Sequence, residues 1–294
     1  IDMALPSIER VPVNFSQHKK MWIYGAPFSG KTTVVDGAPT PLNLNTDGNV
    51  KAVTMARLPI KDTMEGRQKK LAWDVFKGAI DDLEAGSEFK TIVLDLTEDI
   101  YDHCRKYMCD KRGWEHESDD SFKAYDIVRS EFLRVIRKLV NLPYNIILIS
   151  HQDVSKDITK RSGDKVTKIR PNIADKIANK LAGMVDIVVR CIKDNDHYVL
   201  STKTSDVIFG GGRLTSLKAV DVPNCWESID AMYATVTAQE RTETHEAPTE
   251  VEEPTPTTND AVDANDEVME QLKTALANTE VSEEPKRRTR RTRN

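Results

Sequence analysis

The sequence predicts an α/β fold in which a mostly parallel sheet is flanked by helices on both faces. Two strand-sized runs, TIVLDL (91–96) and NIILIS (145–150), are apolar throughout rather than alternating, which is typical of strands buried on both faces. Helical patterns separate these runs, and a glycine-rich loop joins the first predicted strand to a helix. Of the 294 residues, 39% are hydrophobic, which supports a large core. The formal charge of −5 favours no class of partner by itself.

The individual elements follow from apolar periodicity and from turn residues. Strands are predicted at 21–24, 41–45, 50–57, 91–96 and 145–150. Helices are predicted at 31–36, 67–84, 98–110 and 122–142. The last of these helices has an apolar stripe of Ile127, Phe132, Val135, Ile136 and Leu139. An N-terminal extension (1–17) precedes a folded core (18–236), and a change of composition separates this core from a tail (237–294).

The loop after the first strand reads GAPFSGKT and fits the pattern G-x-x-x-x-G-K-[ST] between a strand and a helix. Glycines in this position allow backbone N–H groups to turn toward phosphate oxygens, and the following helix N-terminus favours negative charge. The pattern predicts a nucleotide site rather than an accidental Gly/Ser turn. Lys31 would reach the β- and γ-phosphates of ATP, and the Thr32 hydroxyl would bind Mg²⁺. The predicted nucleotide contacts are Gly25, Ala26, Pro27, Phe28, Ser29, Gly30, Lys31, Thr32 and Thr33.

A second ligand for Mg²⁺ is expected on a neighbouring strand. Asp95 ends the buried run TIVLD, at the edge where ligands of open α/β sheets collect, and we predict that it holds the metal through water. The alternative is an aspartate that only caps the next helix. ATP hydrolysis also needs a group that orients water, and two candidates are Asp47 and Glu98. We favour Asp47, although NTDGN is also a plain turn sequence.

The run NIILIS is followed by His151 and Gln152, which we predict to sense the γ-phosphate from the same sheet edge. The residues after them, 153–170, are predicted to form a mobile basic loop that contacts DNA phosphates. A solvated hairpin is the alternative. The predicted DNA contacts are Lys156, Lys160, Arg161, Lys165, Lys168 and Arg170.

The order of these features, GAPFSGKTT, NLNTDGN, TIVLDLTE, a long helix, ILISHQD and a basic segment, resembles the RecA-type core over residues 18–230. More closely, it is similar to the phage-encoded AAA-family nucleotide-binding proteins that act as minimal RecA-like single-strand annealing proteins. The resemblance implies a RecA-like P-loop ATPase core that uses ATP and Mg²⁺. It implies single-stranded DNA as partner, a homo-oligomeric ring or filament, and a single-strand-binding protein as a further partner.

The resemblance also implies roles for particular residues. Asp47 occupies the place of the glutamate that activates water, and because it is shorter, hydrolysis is expected to be slow and modulated by DNA. Gln152 matches the glutamine that senses the γ-phosphate. Lys203 or Arg213 would be the cation that reaches the nucleotide of a neighbouring subunit. A phage-encoded protein would work in the cytoplasm of the bacterial host, which agrees with four cysteines without a CxxC pair and with the absence of a membrane-length apolar run.

The predicted function is therefore ATP-dependent binding of single-stranded DNA that promotes annealing or strand exchange in phage recombination and replication. Two alternatives remain open. A small-molecule P-loop kinase would need an arginine lid, for which Arg161, Arg170 and Arg190 are available. A helicase-loader-type ATPase would act on a protein partner, with 266–277 as a docking helix. A zinc site at His103, Cys104, Cys109 and His116 is disfavoured because the spacing fits no standard finger.

The tail is rich in Thr, Glu, Pro and Asp and poor in large apolar residues, so it is predicted to be disordered. Its acidic stretch is followed by the basic patch Lys286–Arg293. Two interpretations remain. The acidic stretch either restrains the basic segments until DNA displaces it, or it is a solubilising linker whose basic end adds DNA affinity. We favour the second.

Overall fold

The computed structural model describes residues 15, 17–48, 51–116, 118–119, 123–159, 165–214 and 219–243, with the backbone alone at 65, 158 and 235–243. The strands within these ranges are β1 Lys20–Gly25, β2 Pro41–Asn45, β3 Ala56–Pro59, β4 Thr63–Glu65, β5 Gln68–Lys70, β6 Thr91–Asp95, β7 Asn145–Thr159, β8 Lys165–Pro171, β9 Ile187–Asp194, β10 His197–Ser201, β11 Gly211–Gly212 and β12 Asp221–Pro223. The helices are α1 Lys31–Asp36, α2 Ala72–Ala85, α3 Thr97–Arg112, α4 Lys123–Val140, α5 Asp175–Ala182 and α6 Trp226–Glu243.

A ten-stranded sheet with the path β12-β10-β9-β1-β7-β6-β2-β3 forms the centre of the fold. The six strands from β9 to β3 along this path are parallel. The remaining members, β10, β12, β11 and β8, add antiparallel pairs. Because the central strands are parallel, the carboxyl ends of β1, β2, β6 and β7 meet at one edge. The predicted fold class, a mostly parallel sheet with flanking helices, is confirmed.

The helices cover both faces of this sheet. On one face, α2, α3, α4 and α5 pack their apolar residues against the sheet, including Trp73, Phe76 and Phe132. On the other face, α1 and α6 contribute Val34 and Trp226. The strands between them are buried from both sides, which explains why their sequences are uniformly apolar. Within the described part of the chain, every helix is too short or too polar to cross a bilayer.

Strand β7 is longer than the sequence predicts. It is paired with β1 as far as His151 and with β6 as far as Ile149, and from Gln152 onward it pairs with β8 alone. The register shifts between Asp153 and Lys156, which marks a β-bulge at the start of this hairpin. The prediction of a loop over 153–170 is therefore wrong, since both flanks of the segment are strands. Burial alternates along Lys165–Lys168, as expected for a strand with one covered face.

Two other predicted elements begin later than expected. The strand predicted at 50–57 begins at Ala56, and the helix predicted at 67–84 begins at Ala72. Residues 68–70 instead pair with 63–65 in a hairpin, whose turn contains Gly66 at φ +63°. The Asp62 carboxylate accepts a hydrogen bond from the Ala72 N–H at 2.9 Å and so fixes the start of α2.

Helices α3 and α4 lie close to their predicted positions. In α4, Val128 joins the buried stripe with Phe132, Val135 and Ile136, while Ile127 is only half-buried. Helix α6 continues beyond residue 236, where the core was predicted to end, to Glu243. The acidic stretch beyond Glu243, the segment 266–277 and the basic patch lie outside the described residues.

Candidate nucleotide-binding site

The glycine loop between β1 and α1 forms a tight turn that only glycine fits at two positions. Gly30 has φ +86°, and a Cβ atom there would lie 2.6 Å from Asn224 Nδ2. A Cβ atom on Gly25 would overlap the Cys191 carbonyl oxygen. The loop is thus held against β9 and the β12–α6 connection at a distance that excludes any side chain. Such a close-packed glycine loop before a helix N-terminus is the geometry that cradles phosphates.

Lys31 begins α1 and is almost fully buried. Its Nζ donates a hydrogen bond to the Ala26 carbonyl oxygen at 2.8 Å, so the side chain folds back across the loop. Burial lowers the pKa of Lys31, and Cys191, Asp95, Glu98 and Asp47 act in the opposite direction. The carboxylates of the sheet edge therefore lie near enough to act on the charge of the ammonium group. The contact of Lys31 with the β- and γ-phosphates stays a prediction.

Thr32 and Asp95 come together across the site. The Thr32 hydroxyl donates to Asp95 Oδ2 at 2.9 Å. Burial raises the pKa of Asp95 to about 6, although the Thr32 hydrogen bond opposes this shift. A hydroxyl and a carboxylate beside a phosphate cradle supply the hard oxygen ligands that Mg²⁺ prefers, so these residues fit a nucleotide-bound magnesium ion.

The remaining loop residues divide by exposure. Ser29 is buried, and its carbonyl oxygen accepts a hydrogen bond from the Cys191 thiol at 2.8 Å. Phe28, by contrast, is 85% exposed and has φ +62°. Pro27 and Thr33 are also exposed. The loop therefore exposes the side chains of Pro27, Phe28 and Thr33 at its outer surface and packs Ser29 inside.

Asp47 follows β2, which is the neighbour of β6 in the sheet. It is exposed, and its Oδ1 accepts a hydrogen bond from Asn45 Nδ2 at 2.9 Å. Its charge contributes to the raised pKa of Asp95, after the effects of burial and of Thr32. Asp47 thus lies at the predicted edge, in a solvated turn.

Glu98 lies in the first turn of α3 and is nearly buried, with 13% of its side chain exposed. Its Oε1 accepts a hydrogen bond from the His151 backbone N–H at 2.8 Å and faces His151 Nδ1 at 3.1 Å. Its Oε2 is also buried and, within the described residues, has no hydrogen-bond partner. The sequence placed Glu98 near the site, but nothing in it indicated the contact with His151.

Gln152, the second predicted sensor, faces β9. Its Oε1 accepts a hydrogen bond from Arg190 Nε at 3.2 Å. His151 and Gln152 are therefore both engaged, one with α3 and the other with β9, at the point where β7 leaves the central sheet. Their predicted contact with the γ-phosphate stays a prediction.

The predicted DNA contacts do not form one uniform set. Lys165 is exposed, Lys168 is half-buried, and Lys156 lies 3.9 Å from Asp175. Lys160 and Arg161 lie outside the described residues.

Arg170 differs from these lysines because it is 2% exposed. It forms an ion pair with Asp175 and donates to the Ile173 carbonyl oxygen at 3.1 Å. It ties the end of β8 to the start of α5 and presents no free charge at the surface. The prediction of a DNA contact at Arg170 is therefore wrong.

Neither predicted trans-acting cation belongs to this nucleotide site. Lys203 pairs with Asp221 at 2.5 Å. Arg213 donates to the Gly183 carbonyl oxygen at 2.6 Å and follows β11, which pairs with the amino-terminal end of β9. Gly25 pairs with Cys191, nearer the carboxyl end of β9. Arg213 and the glycine loop therefore lie toward opposite edges of the sheet.

Sequence reasoning missed the residues that hold the cradle from outside. Asn224 donates to the Gly30 carbonyl oxygen at 3.1 Å, and the ring of Tyr198 lies 3.2 Å from the place of a Gly30 Cβ. Both come from the last part of the fold, far from the loop in sequence, and no motif marks them. Tyr198 is 41% exposed, so an aromatic face stands beside the phosphate loop.

Of the cysteine and histidine residues of α3, Cys104 packs in the core. Cys104 is buried, and its thiol lies 3.8 Å from the Val128 carbonyl oxygen. Among the described residues, no group of three or more His, Cys, Asp or Glu side chains is arranged to hold a metal ion.

The sequence profile of a family described as an AAA domain matches residues 17–214 of the chain. The chain belongs to this family. The matched region covers the glycine loop, Asp95 and the β7–β8 hairpin, so the chain contains an AAA-type P-loop ATPase domain. Members of such P-loop ATPase families generally bind ATP with Mg²⁺.

Solved structures give a weaker comparison. The chain is similar to a prototypical ATPase from the type III secretion system of pathogenic bacteria, with 11% sequence identity and a TM-score of 0.42. The match covers 79% of this chain and 65% of that one. No curated protein matches the chain.

Proposed function

We propose that this protein is an ATPase that binds single-stranded DNA in an ATP-dependent manner and promotes annealing or strand exchange, as in phage recombination and replication. The observation that supports this proposal is the continuity of β7. One strand carries His151 and Gln152 at the nucleotide edge and then continues into the hairpin that bears the basic residues. A conformational change at the nucleotide edge would therefore be transmitted to the hairpin along β7.

The nucleotide half of the function uses the cradle. The backbone of residues 25–33 would hold the phosphates, Lys31 would meet the β- and γ-phosphates, and Thr32 and Asp95 would hold Mg²⁺. The metal supplies charge neutralisation for the developing phosphate charge. The chain itself orients the groups around it, since Lys31, Thr32 and Asp95 are already fixed by hydrogen bonds.

The DNA half of the function uses the hairpin. Between 153 and 170 the sequence has Lys156, Lys160, Arg161, Lys165 and Lys168 besides the buried Arg170, against three aspartates. An excess of lysine and arginine on a hairpin that lies off the central sheet path is suited to the phosphates of single-stranded DNA. Contacts of the γ-phosphate with the edge residues of β7 would favour one hairpin position, and hydrolysis would release it.

We further propose that the protein works as a ring or filament, in the cytoplasm of a phage-infected bacterial cell and with a single-strand-binding protein as a further partner. In such an assembly, Lys203 or Arg213 of one subunit would approach the nucleotide of the next. This is compatible with the position of Arg213 away from the cradle of its own chain.

The kinase alternative has less support than the sequence suggested. Two of the three arginines available for a lid are engaged, because Arg170 is buried and Arg190 bonds Gln152. Arg161 lies outside the described residues. A helicase-loader function depends on 266–277, which also lies outside them.

Fluorescence anisotropy of a labelled oligo(dT), with ATP, ADP or no nucleotide, tests the proposal. We expect ATP to tighten binding at least about tenfold and Lys31→Ala to remove this effect. A hairpin double variant, Lys165→Gln with Lys168→Gln, should weaken binding and lower the salt slope by about 1.4, because about 0.7 counterion is released per phosphate contact on a single strand. Lys90→Gln with Lys180→Gln, two exposed lysines outside the hairpin, is the matched control.

Truncation after Glu243, where α6 ends, separates the hairpin from the tail. Retained ATP-dependent binding in the truncated chain would assign the DNA site to the core. DNA binding that does not depend on the nucleotide and is lost with the tail would contradict the proposal. If no DNA binding is detected in any nucleotide state, the kinase or helicase-loader function is favoured instead.

A further inference from the structure

The candidate residues for orienting the attacking water differ sharply in their surroundings. Asp47 is exposed in a turn and bonded to Asn45. Glu98 is nearly buried between α3 and β7. A water-orienting carboxylate acts best where bulk water is excluded, because fixed hydrogen bonds are stronger there and competing waters are absent.

The two oxygens of Glu98 have different partners. Oε1 is held by the backbone N–H and the ring of His151. Oε2 is buried and, among the described residues, unpartnered. A buried carboxylate oxygen without a hydrogen-bond donor is unfavourable in the folded chain. A water molecule beside the terminal phosphate would supply the missing donor.

The strand register places Glu98 beside the phosphate loop. Its Oε1 accepts a hydrogen bond from the N–H of His151, and His151 lies opposite Gly25, the first residue of the glycine loop, in the pairing of β7 with β1. Asp47 instead follows β2, which is separated from β1 by β7 and β6.

We propose that Glu98, rather than Asp47, orients the water that attacks the terminal phosphate, and that His151 is the positioning residue that links Glu98 to the β7–β8 hairpin. This inference rests on the proposed function only for the second half, because water orientation does not require DNA. The first half concerns ATP hydrolysis alone.

In the chemical step, the water oxygen forms a bond to the γ-phosphorus. The bond from that phosphorus to the β–γ bridging oxygen breaks, and its electron pair remains on ADP. One proton of the water passes to the Glu98 carboxylate and is then released to solvent. The products are ADP and inorganic phosphate.

The link to the hairpin runs through the backbone of β7. The His151 N–H that holds Glu98 belongs to the last residue of β7 that pairs with β1. The His151 carbonyl oxygen accepts from the Asn172 N–H at 2.8 Å, just after β8. Movement of the hairpin therefore shifts both sides of His151, and with it the Glu98 carboxylate. A ligand on the hairpin and water orientation are coupled through these two bonds.

A cavity of about 400 Å³ borders this contact. It is lined by Glu98, Asp99, Asp102, Asp153, Lys156 and Asn172 among others. Both the first turn of α3 and the base of the hairpin thus line the same cavity.

Matched variants test the first half of the proposal. Glu98→Gln should lower kcat for ATP hydrolysis about 100-fold or more, as expected for loss of a water-orienting carboxylate. Its affinity for a fluorescent ATP analogue should stay within about threefold. Asp47→Asn should lower kcat less than tenfold. Asp110→Asn, an exposed carboxylate near the far end of α3, is the control and should leave kcat unchanged.

The outcomes that overturn this half are distinct. A larger loss of turnover in Asp47→Asn than in Glu98→Gln would overturn the assignment of Glu98. A wild-type chain that fails to hydrolyse ATP, with or without oligo(dT), would also overturn it. If Glu98→Gln also loses affinity for the analogue, Glu98→Asp decides. Slow turnover with retained affinity supports the assignment, and unchanged turnover refutes it.

Variants of His151 test the link to the hairpin. His151→Leu removes the ring contact but keeps the backbone N–H, so it should reduce the stimulation of hydrolysis by oligo(dT) about fivefold or more. His151→Asn, whose side-chain amide can again donate to Glu98, should restore much of it. The affinity of the ATP-bound protein for oligo(dT), measured by anisotropy, should change in the same direction in each variant.

The role of Glu98 and the DNA function can fail separately. If the protein does not bind oligo(dT) but Glu98→Gln abolishes basal hydrolysis, the DNA function fails and the role of Glu98 stands. If DNA stimulation is present and His151→Leu leaves it intact, the link through His151 is refuted while the DNA function stands.

Discussion

The nucleotide cradle and the β7–β8 hairpin are joined by one strand, but their functional side chains are held in opposite ways. In the cradle, Lys31 and Asp95 are almost fully buried, and each has a hydrogen-bond partner within the site. In the hairpin, Lys165 is exposed and Lys168 is half-buried. The side chains of the cradle are therefore already ordered without a ligand. In the hairpin, the strands fix the backbone but not the lysine side chains. Variants in the cradle should change the free energy of unfolding, and variants of the hairpin lysines should change ligand binding alone.

The largest effect is expected at Gly30. Gly30→Ala forces a side chain onto φ +86° and against Asn224, so it should cost about 2 kcal/mol of unfolding free energy and abolish ATP binding. Gly78→Ala is the matched control, because Gly78 lies in the middle of α2 with open space around its Cα. That variant should gain up to about 1 kcal/mol from helix propensity. Urea unfolding and titration with a fluorescent ATP analogue measure both effects, and a Gly30→Ala variant that still binds ATP would contradict the rigid-cradle description.

A smaller effect is expected at Asp95 in the metal-free and nucleotide-free protein. Burial raises the pKa of this carboxyl to about 6, above its usual 3.8, so folding favours the protonated acid. That contribution is present below pH 3.8 and is lost as the pH rises through 6. Asp95→Asn keeps an acceptor for Thr32 without the buried charge, so it should be on the order of 2 kcal/mol more stable than wild type at about pH 7.5.

The same comparison at about pH 4 is the internal control for Asp95. The difference between Asp95→Asn and wild type should shrink there, because the wild-type carboxyl is then largely protonated. Unfolding curves in urea at the two pH values give this difference directly. A stability gain that does not depend on pH would assign it to packing rather than to the buried charge.

The smallest effect separates two neighbouring basic residues of β8. Arg170→Leu should cost about 1 kcal/mol, because it breaks the hydrogen bond to Ile173 while the half-exposed Asp175 regains water. Lys168→Gln should change stability by less than about 0.5 kcal/mol. The salt dependence of oligo(dT) binding should fall for Lys168→Gln and stay unchanged for Arg170→Leu. Equal effects of the two substitutions on the salt slope would show that the burial of Arg170 is irrelevant in solution.

The sequence predicted best what is determined locally. A glycine loop between a strand and a helix needs particular residues at particular spacings, so Gly25, Gly30 and Lys31 could be placed from the motif alone. Asp95 could be placed because parallel strands end at one edge of the sheet. The all-apolar sequences of 91–96 and 145–150 also predicted the buried sheet, because a strand that is covered on both faces needs apolar side chains at successive positions.

The sequence failed where position depends on distant partners. The sequence predicts a loop over 153–170 because its lysines and aspartates hide the alternation of Lys165–Lys168. It predicts a surface charge at Arg170 because nothing nearby indicates the pairing with Asp175. The contact between Glu98 and His151 joins α3 to β7 across many intervening residues. Asn224 closes over Gly30 from the end of the core. None of these contacts leaves a local pattern.

The change of partners along β7 has a consequence for the exchange of its amide hydrogens with solvent. Up to Ile149 the strand lies between β1 and β6, Ser150 and His151 pair with β1 alone, and from Gln152 the strand pairs with β8 alone. Protection against exchange should therefore fall abruptly between Ile149 and Asp153, within a single continuous strand. The boundary lies beside the nucleotide edge. The exchange rates of the amides beyond Gln152 should therefore differ between the nucleotide-free and the nucleotide-bound protein.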